Sequence, residues 1–327
     1  LTNGTSYTFN VWAINPFGWS SPSDASASVS PVATLALFMG GSVGSSPYDS
    51  NVIDYIQIST TGNATDWGDT TLSRGGSAPA SNSTRGIGAG GGNIYITEVR
   101  DRIDYITFAS TGNASVFGNL TQARYYRVGG ISNDTRGIFV TGRDSTANGT
   151  QTTDYVTIAT TGNATDYGNY GLSLREGPSG CSSTTRGILT GGRTETNTSR
   201  NEIRYTTIAT VGSYSDFGDL TEVSYRHGAA SNGTRGVIFG INSSNRIDYV
   251  TIASTGNAAD FGDLTSTVAY HEATSSKTRA VVASGNGSTP AVDYVTVATT
   301  GNAADFGNLT TPRDGMAAVG NAHGGIS

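Results

Sequence analysis

The chain is nearly empty of cysteine and lysine. Cys181 stands alone among 327 residues, so no internal disulfide can form and no cysteine-based zinc site can be assembled. Lys277 is the only lysine, and positive charge otherwise rests on arginine. With a net charge of −6 the sequence offers no basic face for nucleic acid. Histidine is limited to His227, His271 and His323. No apolar run approaches the roughly 20 residues of a membrane-spanning helix, so no membrane insertion is expected. No stretch of ordinary helix length keeps a helical period without a Gly or a Ser–Thr cluster breaking it, which excludes helix as the main element. What abounds is glycine, 45 residues of it, alongside Ser, Thr and Asn. Such a composition favours turns and strands, and the chain reads as all-β.

One phrase recurs. "IDYITFASTGNASVFGNL" (Ile103–Leu120) returns with small changes at Ile53, Thr153, Ile203, Ile247 and Val292. Its tyrosines are Tyr55, Tyr105, Tyr155, Tyr205, Tyr249 and Tyr294, spaced 50, 50, 50, 44 and 45 apart. Twelve residues after each stands a second aromatic: Trp67, Phe117, Tyr167, Phe217, Phe261 and Phe306. A Thr-Arg phrase such as "TRGIFVTG" precedes most copies and carries Arg85, Arg136, Arg186, Arg235 and Arg279, while "TLALFMGG" at Thr34 lacks the Arg. One unit therefore reads as four short strands: a small-residue strand such as "RHGAASN" (Arg226–Asn232), the Thr-Arg strand, the Tyr strand and the strand of the second aromatic. "TGN" is taken as the tight hairpin turn between the last two. The Tyr strand is apolar on both faces, as a sheet covered on both sides requires. Four strands per repeat of about 40–50 residues predict a β-propeller.

The chain enters on a second strand (Thr34–Gly41) without its first, and reaches a first strand (Arg313–Asn321) without its followers. Joining them completes one blade and removes the open edges, which predicts six four-stranded blades over residues 34–327. The unit resembles a kelch repeat. "TPRDGMAAVGN" (Thr311–Asn321) matches that family's innermost strand, and "FMGG" (Phe38–Gly41) and "LTGG" (Leu189–Gly192) its double-glycine second strand. Its Tyr-to-aromatic gap is longer than the family's. The opening "LTNGTSYTFNVWAINPFGWSSPSDAS" resembles the last two strands of a fibronectin type III domain over residues 1–30, with Leu1 and Tyr7 at the spacing of a tyrosine corner. Residues 31–33 would be the linker. This likeness implies a spacer that continues upstream, on an extracellular or virion protein. The tandem "STGNA-x-DFG-x-L" also resembles repeats of phage tail-fibre proteins.

Length differences between repeats fall between the second and third strands. Blades 1 to 4 carry long, divergent loops there: Ser42–Asn51, Asn93–Arg102, Arg143–Thr152 and Arg193–Glu202. A rigid scaffold presenting variable loops is the layout of a binding surface, and Tyr48, Tyr95, Arg100, Arg102, Arg193 and Arg200 are residue types that anchor interfaces. The repeated arginines and tyrosines read as structural. Asp54, Asp104, Asp154, Asp248 and Asp293 before the Tyr, or Asp66, Asp166, Asp216, Asp260 and Asp305 before the second aromatic, are the expected partners of those arginines from blade to blade.

His227 and His271 share a repeat column and are expected to face one another near the channel, the weak beginning of a metal site; alternation would turn Glu272 away. No third ligand joins them, and no cofactor is expected. These observations favour a non-enzymatic module binding other subunits of a surface or virion assembly, or a cell-surface protein or glycan. A carbohydrate-active propeller enzyme, sialidase-like or oxidase-like, stays open beside it. A glycosidase pair of carboxylates is not singled out by any motif.

Overall fold

The computed structural model describes residues 5–28, 33–44, 48–93, 98–126, 129–146, 148–267, 270–283, 285 and 289–327. It divides into two units, Leu1–Thr34 and Leu35–Ser327. In the first, strands Ile14–Asn15 and Gly18–Trp19 pair antiparallel around a turn. The ribbon continues through Ser20 N–H to the Ala13 carbonyl, Ser23 to Val11 and Ser26 to Phe9. Leu1 lies outside the described residues, as do Pro31 and Val32 of the expected linker.

The second unit is a six-bladed β-propeller. Each blade is a four-stranded antiparallel sheet. In blade 1 the order is Ala317–Gly320, Leu35–Met39, Val52–Gln57 and Thr65–Asp69, so the two ends of the unit pair within one sheet, with Val319 opposite Leu37. Blades 2 to 6 take their four strands in chain order, with innermost strands Ala78–Ser81, Gly129–Ser132, Ser179–Ser182, Gly228–Ser231 and Glu272–Ser275. Blade 3 gains a fifth strand, Arg193–Thr194, lent by the long loop of blade 4.

The repeated phrase turns out to stitch blade to blade. The hydrogen-bonded hairpin turn comes earlier than "TGN": in blade 1 Thr60 N–H reaches the Gln57 carbonyl. The "TGN" segment runs on as extended chain along the neighbouring blade. At all six boundaries its Gly N–H donates to the carbonyl of the neighbour's second aromatic, at 2.7–3.2 Å, as from Gly112 to Trp67 and from Gly62 to Phe306. At five boundaries the Asn Oδ1 accepts a backbone N–H from the same outer strand, as Asn113 does from Asp69 at 3.0 Å. The outer strand's own glycine makes this approach possible. Gly68 has φ +146, and a Cβ there would lie 2.7 Å from the Gly112 carbonyl oxygen.

The Thr-Arg arginines also join blades, but not through aspartate. Each guanidinium lies over the Tyr ring of its own blade, 4.2–4.7 Å from the centroid. Each then donates from Nη1 to a main-chain carbonyl of the next blade, at 2.8–3.1 Å: Arg85 to Ile158, Arg136 to Ile208, Arg186 to Ile252, Arg235 to Val297 and Arg279 to Ile58. The Tyr rings meet the second aromatics edge-on, 5.2–6.2 Å apart, in every blade. A flat cation on a flat ring with one strong donor left over suits arginine and not lysine. Replacing Arg136 by Gln is expected to remove both contacts and destabilise by about 1–2 kcal/mol. Thermal melting should fall by about 2–4 °C per kcal/mol in a domain of this size; an unchanged midpoint would contradict a structural role.

The aspartates before the Tyr find other partners. At five of the six boundaries the Thr leaving one blade donates its hydroxyl to the Asp of the next: Thr71 to Asp104 at 2.6 Å, Thr121 to Asp154, Thr221 to Asp248, Thr265 to Asp293 and Thr310 to Asp54. In blades 1 to 3 a second, fully buried arginine completes the cluster: Arg313 to Asp54 at 2.7 Å, Arg74 to Asp104 at 3.1 Å and Arg124 to Asp154 at 3.0 Å. The boundary between blades 3 and 4 changes both sides of the pair. Gly171 takes the Thr position and Arg204 the Asp position, and Arg204 bonds the Tyr170 carbonyl instead. The hydrophobic core lies between blades, each layer drawn from two neighbours, as where Ile103 and Phe117 of blade 2 pack with Phe139 and Val156 of blade 3.

Candidate functional site at the channel mouth

The innermost strands surround a narrow bore. Small residues line it, among them Ala80, Gly130, Gly180, Cys181 and Ala230, and about 50 Å³ remains open along it. Burial pushes the Cys181 thiol up to about 12, so it stays protonated and unreactive. At one end the strand-terminal serines link blades side by side: Ser182, Ser231 and Ser275 each donate to the carbonyl of the serine one blade back at 2.6 Å. The segment Asn321–Ser327 plugs this end. His323 Nε2 lies 3.0 Å from the Ser81 carbonyl, and Gly325 N–H donates to its Nδ1. That pattern needs a neutral imidazole carrying its proton on Nε2.

The opposite end is the loop face, where the connections between second and third strands and the connections between blades emerge. There the chain enters each innermost strand through a residue set two or three before it. In blades 1 and 2 that residue is Gly315 (φ 59) and Gly76 (φ 69). In blades 3, 5 and 6 the same left-handed conformation is imposed on Tyr126 (φ 71), Arg226 (φ 61) and Tyr270 (φ 68). A side chain held this way costs about 1–3 kcal/mol, and these three converge.

Arg226 is the hub. Its Nε donates to Glu176 Oε2 at 2.8 Å and its Nη2 to the Tyr126 hydroxyl at 2.9 Å. Its guanidinium carbon lies 4.3 Å from the Tyr270 ring centroid, 5.0 Å from Tyr225 and 5.9 Å from Tyr126. Burial works against the Arg226 charge, but Glu176 with the Tyr126 and Tyr270 hydroxyls outweighs it, so its pKa lies above the usual arginine value. Glu176 is 1% exposed and also accepts from Arg193 at 3.4 Å. Arg193 stacks on Tyr225 at 4.7 Å, and Arg143 on Tyr126 at 4.2 Å. Four consecutive inter-blade connections thus supply Tyr126, Glu176, Tyr225 with Arg226, and Tyr270, and two long loops add Arg143 and Arg193.

Of the residues expected at the binding surface, only Arg193 belongs to this cluster. Arg100 pairs with Glu98 at 2.6 Å and Arg200 with Glu202, each within its own loop. Arg102 begins a third strand, and its carbonyl accepts from Arg74. Tyr48 has φ 68 and its carbonyl accepts from Val43; Tyr95 lies outside the described residues.

His227 and His271 do not face one another. Each ring packs against the second strand of the preceding blade, His227 beside Gly191 and His271 beside Gly240. His227 is held by Thr190 Oγ1 at 2.8 Å and Ser224 Oγ at 3.1 Å. Alternation along the strand turns the histidines outward and sets Glu272 on the wall of the bore, the reverse of the expected arrangement. The hub was legible only as a column: where two repeats have Gly before the innermost strand, others have Tyr or Arg. The chain matches no model of a known protein family and no curated protein.

Proposed function

We propose that this propeller is a non-enzymatic binding module that presents its loop face to a protein or glycan partner on an extracellular or virion appendage. The observation that carries the reading is the aromatic–arginine cluster at the channel mouth, built on three left-handed non-glycine residues. Backbone strain kept at one face of an otherwise regular ring supports a role beyond folding. Arginine and tyrosine are the residues that dominate recognition surfaces. Both carboxylate oxygens of Glu176 are held by guanidinium groups, which supports recognition over acid–base chemistry. The fibronectin-like opening and the tail-fibre-like phrasing support the appendage setting, with a spacer module before the propeller.

The test is a glycan array probed with the 327-residue chain, run beside carboxyl-directed cross-linking of the chain in its native assembly. A saccharide retained on the array, or cross-links from the loop face to a neighbouring subunit, is the expected result. Turnover of a glycan, or neither retention nor loop-face cross-links, would overturn the reading.

A further inference from the structure

Arginine and tyrosine are concentrated at the channel mouth. The chain carries −6 overall, yet Arg143, Arg193 and Arg226 gather there, Arg193 and Arg226 on the carboxylate of Glu176 and Arg143 over Tyr126. Asp144 and Glu195, the acids of the same two loops, accept backbone N–H groups of Thr146 and Gly149, and Glu272 lies on the wall of the bore. Each guanidinium carbon lies over a tyrosine ring, 4.2–4.7 Å from its centroid, Arg143 on Tyr126, Arg193 on Tyr225 and Arg226 on Tyr270. Stacking fixes the planes of the cations and leaves their N–H edges as the means of recognition. Were the site scaffold, the entries to the innermost strands would be alike from blade to blade. Instead the cluster occupies one side of the ring, and the equivalent positions across it are Gly76 and Gly315.

We propose that this cluster is a binding site for a saccharide bearing a carboxylate. This rests on the binding-module reading and names its ligand class. The acid group would take the donor edge of Arg143, whose buried Nε has no partner among the described residues, and the Arg193 donors beyond those given to Glu176 and the Asn197 carbonyl. The ring hydroxyls meet the tyrosine hydroxyls, each both donor and acceptor, and the apolar ring face meets an aromatic edge. Fixed guanidinium planes recognise a carboxylate through paired donors, and the bore beneath is too narrow to admit more than the tip of such a group. An acidic side chain of a partner protein would satisfy the arginines alone and make no use of the ring of tyrosines.

The experiment titrates the 327-residue chain with oligosaccharides ending in a uronic or sialic acid, and with the same oligosaccharides after reduction of that carboxylate to an alcohol. The variants are Arg193→Gln and Tyr225→Ala, with Arg200→Gln as a loop arginine outside the cluster, each checked for an unchanged melting midpoint. The expected result is saturable binding of the acid form, at least about tenfold weaker for the alcohol and for the two cluster variants, unaffected in Arg200→Gln, and weakened by salt. Equal binding of acid and alcohol, or full binding by both cluster variants, would overturn this site while leaving a glycan-binding loop face intact. Retention of an acidic peptide with no saccharide bound would overturn the ligand class while leaving the binding module. Binding of neither would overturn the inference outright.

Discussion

Replacement of Arg313 by Ala is expected to lower the unfolding free energy by about 3–5 kcal/mol. Arg313 is fully buried, and its Nη2 lies 2.7 Å from Asp54 Oδ2, with Nη1 donating to the Gly40 and Val52 carbonyls. Burial pulls the Arg313 pKa down, and the Asp54 charge pulls it back up. Removing the cation strands Asp54, which is 0% exposed, with only its Thr310 contacts. A buried charge without its counter-charge is what makes such deletions severe, although the pair itself need not add net stability. The double variant Arg313→Met, Asp54→Asn should therefore recover most of the loss. Chemical denaturation of the three proteins would read this directly; a double variant no better than Arg313→Ala would show that the carbonyl contacts, not the charge pair, matter.

The second large effect is acid sensitivity centred on the plug. His323 has its pKa lowered to about 4, by burial first, opposed by the hydrogen bond to Ser81 and the Asp134 charge and assisted by Lys277. A histidine freed by unfolding titrates near 6.5. The unfolded chain therefore binds the extra proton first, and stability contributed by the neutral ring is fully present above about pH 6.5 and lost as pH falls to about 4. Allowing for the ring's partial contact with solvent, the loss amounts to about 2 kcal/mol. Asp248 and Asp293 work in the other direction. Burial raises their pKa values against the Thr221 and Thr265 hydrogen bonds, so their contribution is lost as pH rises above the ordinary aspartate range. Comparing the wild type with His323→Gln across pH 4–7 isolates the imidazole. Parallel stability curves for the two proteins would rule out the plug as the acid-sensitive element.

The six-bladed ring was legible because the repeat is strong. Tyr105 and Phe117, with their counterparts at a near-constant period, mark the third and fourth strands, and the strands missing at one end are found at the other. The contacts between repeats were not legible. Arg136 and Asp154 recur equally often, and sequence cannot say that the first bonds a carbonyl while the second waits for Thr121 and Arg124. "TGN" has turn chemistry, yet it runs as extended chain along the next blade, and the glycine this approach requires is the one in the neighbour's outer strand, such as Gly68 against Gly112, a cause that lies about 45 residues away. The loop candidates followed divergence, whereas the mouth cluster sits mainly on the connections between blades. Glu176, Arg226 and Tyr126 are 50 and 100 residues apart, and only ring closure makes them neighbours.

The first blade differs from its companions in one further respect. Its second strand carries Leu35 where the others carry the Thr-Arg arginine, so no guanidinium reaches from it to the second blade. On its other flank the innermost strand Ala317–Gly320 packs on the sixth blade it follows in the chain, while the outer strands are joined to that blade by contacts spanning most of the chain, such as Asn308 with Asn63 and Thr310 with Asp54. Closing a loop of about 250 residues rather than about 45 costs roughly 1.5 kcal/mol more in chain entropy. The seam between the first and second blades is therefore the one without a Thr-Arg guanidinium, and local opening of the ring is directed there.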